Sequence, residues 1–435
     1  MQVDGYSRLE KLVEAVQADQ LNADKVFTLL DFTGARQKAS QACRAHVRGR
    51  SSVDGWLISI KDNIDLENFT TTAGSAAFLD EKPATSDATI VSRLRAAGSI
   101  IFGKTNMTEI AYSTPGINRY FGTPLNPSLS DGTLRLCGGS STGAAAALAQ
   151  GWGDASIGTD TAGSVRIPAA LCGLVGIRPR QARVPTKGVL PLSISLDSVG
   201  ILAPTVDAVR KVFAAISSED GERLSPSRHP RLLLPVHFFE NLDAETSHAF
   251  EAALTTLRHE GWDIVRGELS LFTDAFKIVR NGGIIASEAY SFHKSQLEKR
   301  YDRYEKVTLS RLRLGKECSA ENYINLLQLR QLHIAKAQEQ LASYDAVLFP
   351  TCPIIAPEVD NIKNEESFLE LNNKLLRHTV FANIFDLPSV TLPCHNPSQW
   401  PVGLSLMSAS LNEESLLFLA EITEKILSKS RGVNT

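Results

Sequence analysis

The sequence lacks the features that would place it in several large classes of protein. Its six cysteines (Cys43, Cys137, Cys172, Cys318, Cys352 and Cys394) stand singly, with no Cys-x-x-Cys spacing. Neither a disulfide framework nor a thiolate metal site therefore has local support. The nine histidines form no His-Glu-x-x-His motif and no His/Cys cluster, so no metal is expected. Charge of either sign is not in excess: 45 Lys and Arg face 48 Asp and Glu, for a formal charge of −3. That balance gives no electrostatic reason to expect a nucleic acid or an anionic membrane as partner. No apolar run reaches the roughly 18 residues a membrane helix needs. The N-terminal stretch MQVDGYSRLEKLVEAV is acidic and amphipathic rather than basic and then apolar, so no signal peptide is expected. The composition predicts a reduced, cytoplasmic protein.

What is present is a chain of 435 residues, 43% hydrophobic, long enough for one large domain or two to three smaller ones. Two apolar sets near the N-terminus, Leu9, Leu12, Val13 and Val16, then Val26, Leu29 and Leu30, have the spacing of helix faces. GWLISI (55–60) predicts a strand, DATIVSRLRAAG (87–98) a helix stopped by glycine, and SIIF (99–102) a short buried strand. Residues 137–203 are dense in Gly, Ser, Thr and Ala, with apolar residues throughout, which suits defined loops better than a flexible linker. SSEDGERLSPSRHP (217–230) is the most linker-like segment. Beyond it RLLLPV, WDIV, DAVLFP and SVTLP read as strands alternating with helices at 244–260, 319–341 and 412–428. That alternation predicts an α/β layered fold.

One segment offers a false lead. GSIIFGKT (98–105) satisfies the phosphate-loop pattern Gly-x4-Gly-Lys-Thr at every specified position. A phosphate loop must curl so that successive N–H groups face the anion. Ile100, Ile101 and Phe102 favour a buried strand instead, and resist the left-handed turns a cradle needs. The expected element is a strand leaving the core at Gly103, with Lys104 at its exposed or functional end.

Three segments carry more chemistry. SIKDNID (59–65) sets Lys61 directly after a strand. CGGSSTGAAAALA (137–149) is a Gly-Gly-Ser-Ser turn entering an alanine-rich helix. GTDTAGSVRIPAALCG (158–173) places Ser164 before a helix-like stretch. Glycines beside a serine let backbone N–H groups converge on one point, as an oxyanion hole requires. A helix start after Ser164 would favour developing negative charge. Serine needs a base, yet the chain has no Gly-x-Ser-x-Gly elbow and no histidine in these segments. A lysine desolvated at a strand end, lowered in pKa toward its neutral form, is the candidate.

Residues 137–178 closely resemble the amidase signature, and the chain is identified as similar to the amidase signature family. ISIKDNID, TTAGS, AAGSIIFGKTNMTEIA, GTPLNP, SLDSVGILAPTV, YDAVLFPTCP, FANIFDLPSVTLPC and PVGLSLM have family counterparts in order, so the resemblance spans about residues 50 to 430. It implies a three-layer α/β/α fold with a mixed central sheet of about eleven strands, and a single domain over 1–435. N-terminal helices would occupy about 6–50, a catalytic core 51–216, the linker 217–230, and a second half, 231–430, would complete the sheet and substrate pocket. It further implies that Ser164 is the nucleophile, that Ser140 is a bridging serine after a cis peptide bond, and that Lys61 is the base. The backbone N–H groups of Thr161, Ala162, Gly163 and Ser164 would bind the oxyanion. Ser141 would hydrogen-bond within its loop, and Asp160 and Arg166 would act as local supports. No cofactor and no metal are implied; the partner is a small amide, and a homodimer is compatible with the family.

Four positions depart from the common family pattern. Thr142 and Ala162 stand where glycine is usual, Ser405 where glutamine is, and Arg180 where a small hydroxyl residue is. Alanine at 162 is harmless if its φ is negative. Arg180 could bind a substrate carboxylate, or could simply lie at the surface like most arginines. The expected activity is hydrolysis of a small, aryl or ureido-type carboxamide. The alternative is the amidase subunit of a glutamyl-tRNA amidotransferase, although its pattern is generally longer and keeps both glycines.

Overall fold

In a computed structural model, residues 5–44, 51–128, 132–218, 229–279 and 283–431 are described, the side chains of 41–44 excepted. Eleven strands join in one mixed sheet: β1 (Phe27–Leu30), β2 (Leu57–Lys61), β3 (Ile100–Thr105), β4 (Ala155–Asp160), β5 (Val175–Arg178), β6 (Ser198–Ala203), β7 (Arg231–Pro235), β8 (Asp263–Gly267), β9 (Ala346–Pro350), β10 (Ser389–Pro393) and β11 (Gly403–Met407). Their order is β1-β3-β2-β4-β6-β5-β10-β11-β9-β7-β8. β3, β2 and β4 run parallel, as do β9, β7 and β8, while the centre of the sheet is antiparallel.

The period-2 alternation of a strand divides its side chains between two faces. Ile58, Ile60 and Ile101, with Leu232, Leu234, Leu348, Leu404 and Leu406, face one continuous core. Helices Thr89–Ala96, Val206–Ile216, Ala244–His259 and Glu413–Ser430 close it. The other face carries two cores. Leu57, Ile100 and Phe102 pack under helices Gly5–Ala18, Gln20–Val26 and Thr142–Ala149. Leu233, Val347, Phe349 and Met407 pack under a second, aromatic-rich group that includes Phe238, Phe272, Phe381 and Phe385. Among the described residues no helix is long and apolar enough to cross a membrane.

Most predicted elements appear within a few residues of expectation. The helix expected over 87–98 is Thr89–Ala96, and Gly98, at φ +92°, makes the stop. The set Val26, Leu29 and Leu30 does not line one helix. The helix ends at Val26, and Phe27–Leu30 becomes β1, antiparallel to β3. Helical spacing over so few residues could not compete with an unpaired sheet edge, whose N–H and C=O groups need partners. Phe27 also fills the space between Phe102 and Trp152, with ring centroids 5.8 and 6.0 Å away. Residues 219–228, most of the expected linker, and 45–50, the end of the expected N-terminal helical region, lie outside the described residues. Strands from both sides of the linker join the same sheet.

Candidate active site

β2 and β4 are parallel neighbours, so their C-terminal ends emerge side by side and deliver Lys61 and Asp160 to the same edge. Such edges are where α/β sheets place reactive groups. Ser140 and Ser164 bracket helix Thr142–Ala149 and β4, so the chain returns to its starting point after one helix and one strand. The two serine loops are tied together: the Ser141 N–H donates to the Ser164 carbonyl at 3.1 Å. The Gly139–Ser140 peptide bond is cis, and the Thr108 N–H holds the Ser140 carbonyl at 3.2 Å.

Lys61 is wholly buried. Its Nζ lies 2.7 Å from Ser140 Oγ, 2.9 Å from Thr159 Oγ1 and 3.3 Å from the Thr159 carbonyl. Asn63 Nδ2 donates to the same Thr159 hydroxyl at 3.2 Å, which fixes its rotamer. Burial pushes the Lys61 ammonium down to about 7, against the pull of Asp160 and Asp197. Three oxygens around Nζ satisfy an ammonium's three protons, and in the neutral form the Ser140 hydroxyl can donate to the lone pair while the Thr159 oxygens accept.

Asp160 is the hub of the second loop. Its carboxylate accepts from the Gly163 N–H at 2.8 Å, the Val165 N–H at 3.1 Å, Arg166 Nε at 3.0 Å and Arg166 Nη2 at 2.9 Å. Asn383 Nδ2 adds a bond at 3.0 Å. Burial opposes its ionisation, but the Arg166 charge and these hydrogen bonds hold the carboxyl at about 2. Arg166, also fully buried, donates to the Thr379 carbonyl at 2.8 Å and to Asn383 Oδ1 at 2.7 Å. The loop is therefore bolted to helix Val380–Ile384, more than 200 residues away in sequence.

This network reassigns some expected roles. The Gly163 N–H is committed to Asp160, and a fixed carboxylate would outcompete a transient oxyanion, so Gly163 is not a free donor. The N–H groups of Thr161, Ala162 and Ser164 find no acceptor among the described residues. Gly163 matters sterically instead. It has φ +125°, and a Cβ there would stand 2.1 Å from Thr379 Oγ1, which itself donates to the Ala162 carbonyl at 2.6 Å. Ala162 does not adopt a positive φ, so alanine is tolerated where the family has glycine. Among the described residues the buried Ser141 hydroxyl has no partner, and only its backbone serves the loop. Helix Arg166–Leu171 begins two residues after Ser164 and has only six residues, so any dipole contribution is small.

Two charged residues also differ from expectation. Lys104 is not at an exposed strand end. It is buried against Asp62 Oδ1 at 2.9 Å, with the Thr71 hydroxyl at 3.1 Å and the Thr70 carbonyl at 3.3 Å. All six residues of β3 are buried, leaving no nest of inward N–H groups for a phosphate. Arg180 is held by Glu413 at 3.6 Å and donates to the Leu411 carbonyl at 3.3 Å; none of its partners belongs to the Ser164 cluster. Ser405 is a buried partner of the Thr351 hydroxyl at 2.8 Å. Sequence reasoning missed Thr159, Asn63, Thr379 and Asn383. Thr159 alone had a local signal, as the strand residue just before Asp160.

The Asp160–Arg166 pair gives a stability prediction. Asp160→Ala strands a buried guanidinium and should destabilise the fold by about 3–5 kcal/mol, read by urea denaturation. A loss below about 1 kcal/mol would show that the pair does not anchor the loop.

Comparison with known proteins points to one family. A family model described as Amidase matches residues 9–417. The chain is 33% identical over 385 residues to a 2-amino-5-chloromuconic acid deaminase of Comamonas testosteroni, covering 87% of this chain and 83% of that protein. It is 31% identical over 451 residues to an indoleacetamide hydrolase of Pseudomonas syringae pv. syringae, covering 96% and 98%. A crystal structure of an amidase superposes with TM-score 0.87 at 28% identity, over 98% of this chain and 96% of that one.

Proposed function

The chain belongs to the amidase signature family and hydrolyses amide C–N bonds; from that premise we propose that it does so through an acyl-enzyme on Ser164, served by Ser140 and Lys61. The observation that carries this reading is the buried Lys61 Nζ at 2.7 Å from Ser140 Oγ. Neutral Lys61 accepts the Ser140 proton as Ser140 takes the one on Ser164, whose Oγ then attacks the amide carbonyl. Negative charge developing on the carbonyl oxygen meets the free N–H groups of Thr161, Ala162 and Ser164. As the C–N bond breaks, the relay runs backward and protonates the leaving nitrogen. Water, deprotonated by the same relay, attacks the ester and releases a carboxylic acid, with Ser164 regaining its proton.

The product nitrogen is ammonia or an amine, and the substrate is a small carboxamide, in keeping with the indoleacetamide named for one relative. A single-domain fold joined through the 217–230 segment, a reducing cytoplasmic setting and a homodimer complete the proposal. The unpaired Cys137, Cys172, Cys318, Cys352 and Cys394 suit such a setting. A fluorophosphonate probe should label Ser164 stoichiometrically and abolish turnover of a simple amide by the purified chain. Labelling at another serine, with Ser164 unmodified, would overturn the assignment. An amidotransferase subunit that needs its partner would instead leave the isolated chain inactive.

A further inference from the structure

Several positive charges around the two serine loops are matched by acids, although the buried Arg330 has only the Asn383 carbonyl, at 3.2 Å, as hydrogen-bond partner among the described residues. Lys104 meets Asp62, Arg166 meets Asp160, Arg178 meets Asp386, and Arg180 and Arg183 meet Glu413. Arg311, on helix Lys306–Glu317, is different. Its Nη1 donates to the Tyr112 carbonyl and reaches Asn372 Oδ1 at 3.4 Å. The guanidinium lies 4.1 Å from the centroid of the Tyr112 ring. Among the described residues no carboxylate lies within ion-pairing distance of it. Beyond its contact with the Tyr112 phenol, the guanidinium shows no further hydrogen bond from Nε or Nη2 among the described residues, and the side chain is half-buried. Burial pushes the guanidinium below its ordinary value, with only the Tyr112 phenol pulling the other way. A largely desolvated cation without a counter-ion is costly.

Its position links it to the catalytic loop. The Gly139 N–H, just before Ser140, donates to the Thr114 carbonyl at 2.7 Å. Thr114 is gripped by Asn372, through its N–H at 3.0 Å and its hydroxyl at 3.0 Å. Asn372 thus touches both Arg311 and the segment that holds the cis serine. Tyr112, on which the guanidinium stacks, ends a turn in which Ile110 and Ala111 have φ of +45° and +62°. A β-branched residue in that region is strained, and such strain concentrates at functional sites.

We propose that Arg311 binds a carboxylate carried by the substrate, so that the preferred amides are those with an acid group beyond the scissile carbonyl. A planar fork stacked on an aromatic ring, with no carboxylate paired to it, suits bidentate capture of a carboxylate. The charge is then matched only when substrate is bound. The role sequence reasoning offered to Arg180 passes to a residue whose charge is not already spent. The proposal rests on amide hydrolysis at Ser164, and its test separates the two.

The test compares wild type, Arg311→Met and Arg311→Lys on matched probes: malonamic, succinamic, glutaramic and adipamic acids against the corresponding diamides. Wild type should favour the acid over the diamide for at least one chain length. Arg311→Met should lower that acid-to-diamide ratio of kcat/KM by about 100-fold, mainly through KM, with Arg311→Lys in between. The same acid should slow fluorophosphonate labelling of Ser164 in wild type and not in Arg311→Met. Losses equal for acid and diamide, a wild-type preference for the diamides throughout, or labelling indifferent to every acid would each overturn the proposal. If Arg311→Met does not fold, the Arg311→Lys ratio decides, an unchanged ratio being fatal. Failure of wild type to be labelled at Ser164 would sink the underlying mechanism instead.

Discussion

Replacing Ser164 with alanine should lower kcat for amide hydrolysis by about four orders of magnitude or more, leaving only what binding and the oxyanion donors supply. The substitution is unusually clean. Ser164 Oγ makes no hydrogen bond within the described chain, so its removal strands no partner, and the backbone that forms the oxyanion site is unchanged. Stability should stay within about 0.5 kcal/mol of wild type. Thermal unfolding and steady-state kinetics on one amide therefore separate chemistry from folding. Retention of more than about a hundredth of wild-type activity would remove Ser164 from its role. Because the three residues act as a unit, adding Lys61→Met to Ser164→Ala should cost little more than either change alone.

Lys61→Met should also cost about three orders of magnitude or more in kcat, yet it should stabilise the protein near neutral pH. Lys61 is held at about 7 by burial, whereas its ordinary value is 10.5. Between those values the unfolded chain binds a proton the native state does not, so wild-type stability rises with pH across that window. Below about 7 both states are protonated and the whole penalty is present. The variant carries no such penalty. Its stability advantage, on the order of a few kcal/mol, should be largest at or below pH 7 and shrink as pH approaches 10. In wild type, kcat/KM should climb through a limb near 7 as Lys61 loses its proton, and then level. Asp197, pushed up to about 6 by burial and acting on Lys61 through its charge, adds a second titration on the acid side. A pH-independent kcat/KM between 5 and 9 would show that Lys61 is not the base.

Much of the site was legible because its conformations are local. A glycine-serine turn before an alanine-rich stretch, and a lysine ending an apolar strand, specify backbone shape and chemistry within a few residues. The same locality explains why GSIIFGKT could be rejected as a phosphate loop: its own side chains demand a strand, and β3 is one. It also explains the limits. Nothing near Lys104 indicates that it would be buried against Asp62, because their strands are brought together across 42 residues. The Val26–Leu30 segment had a helix-like spacing, but a free edge of β3 decided its form.

Sequence alone determined the layered α/β class, the family, and the three candidate residues Lys61, Ser140 and Ser164. Tertiary structure decided which expected groups are available. Gly163 spends its N–H on Asp160, Arg180 spends its charge on Glu413, and Arg311 keeps its charge open beside the loop of Ser140. The reason is physical. A backbone turn is set by its own residues, whereas a hydrogen bond or ion pair is a competition among all groups within a few ångströms, and the fold alone decides which groups those are.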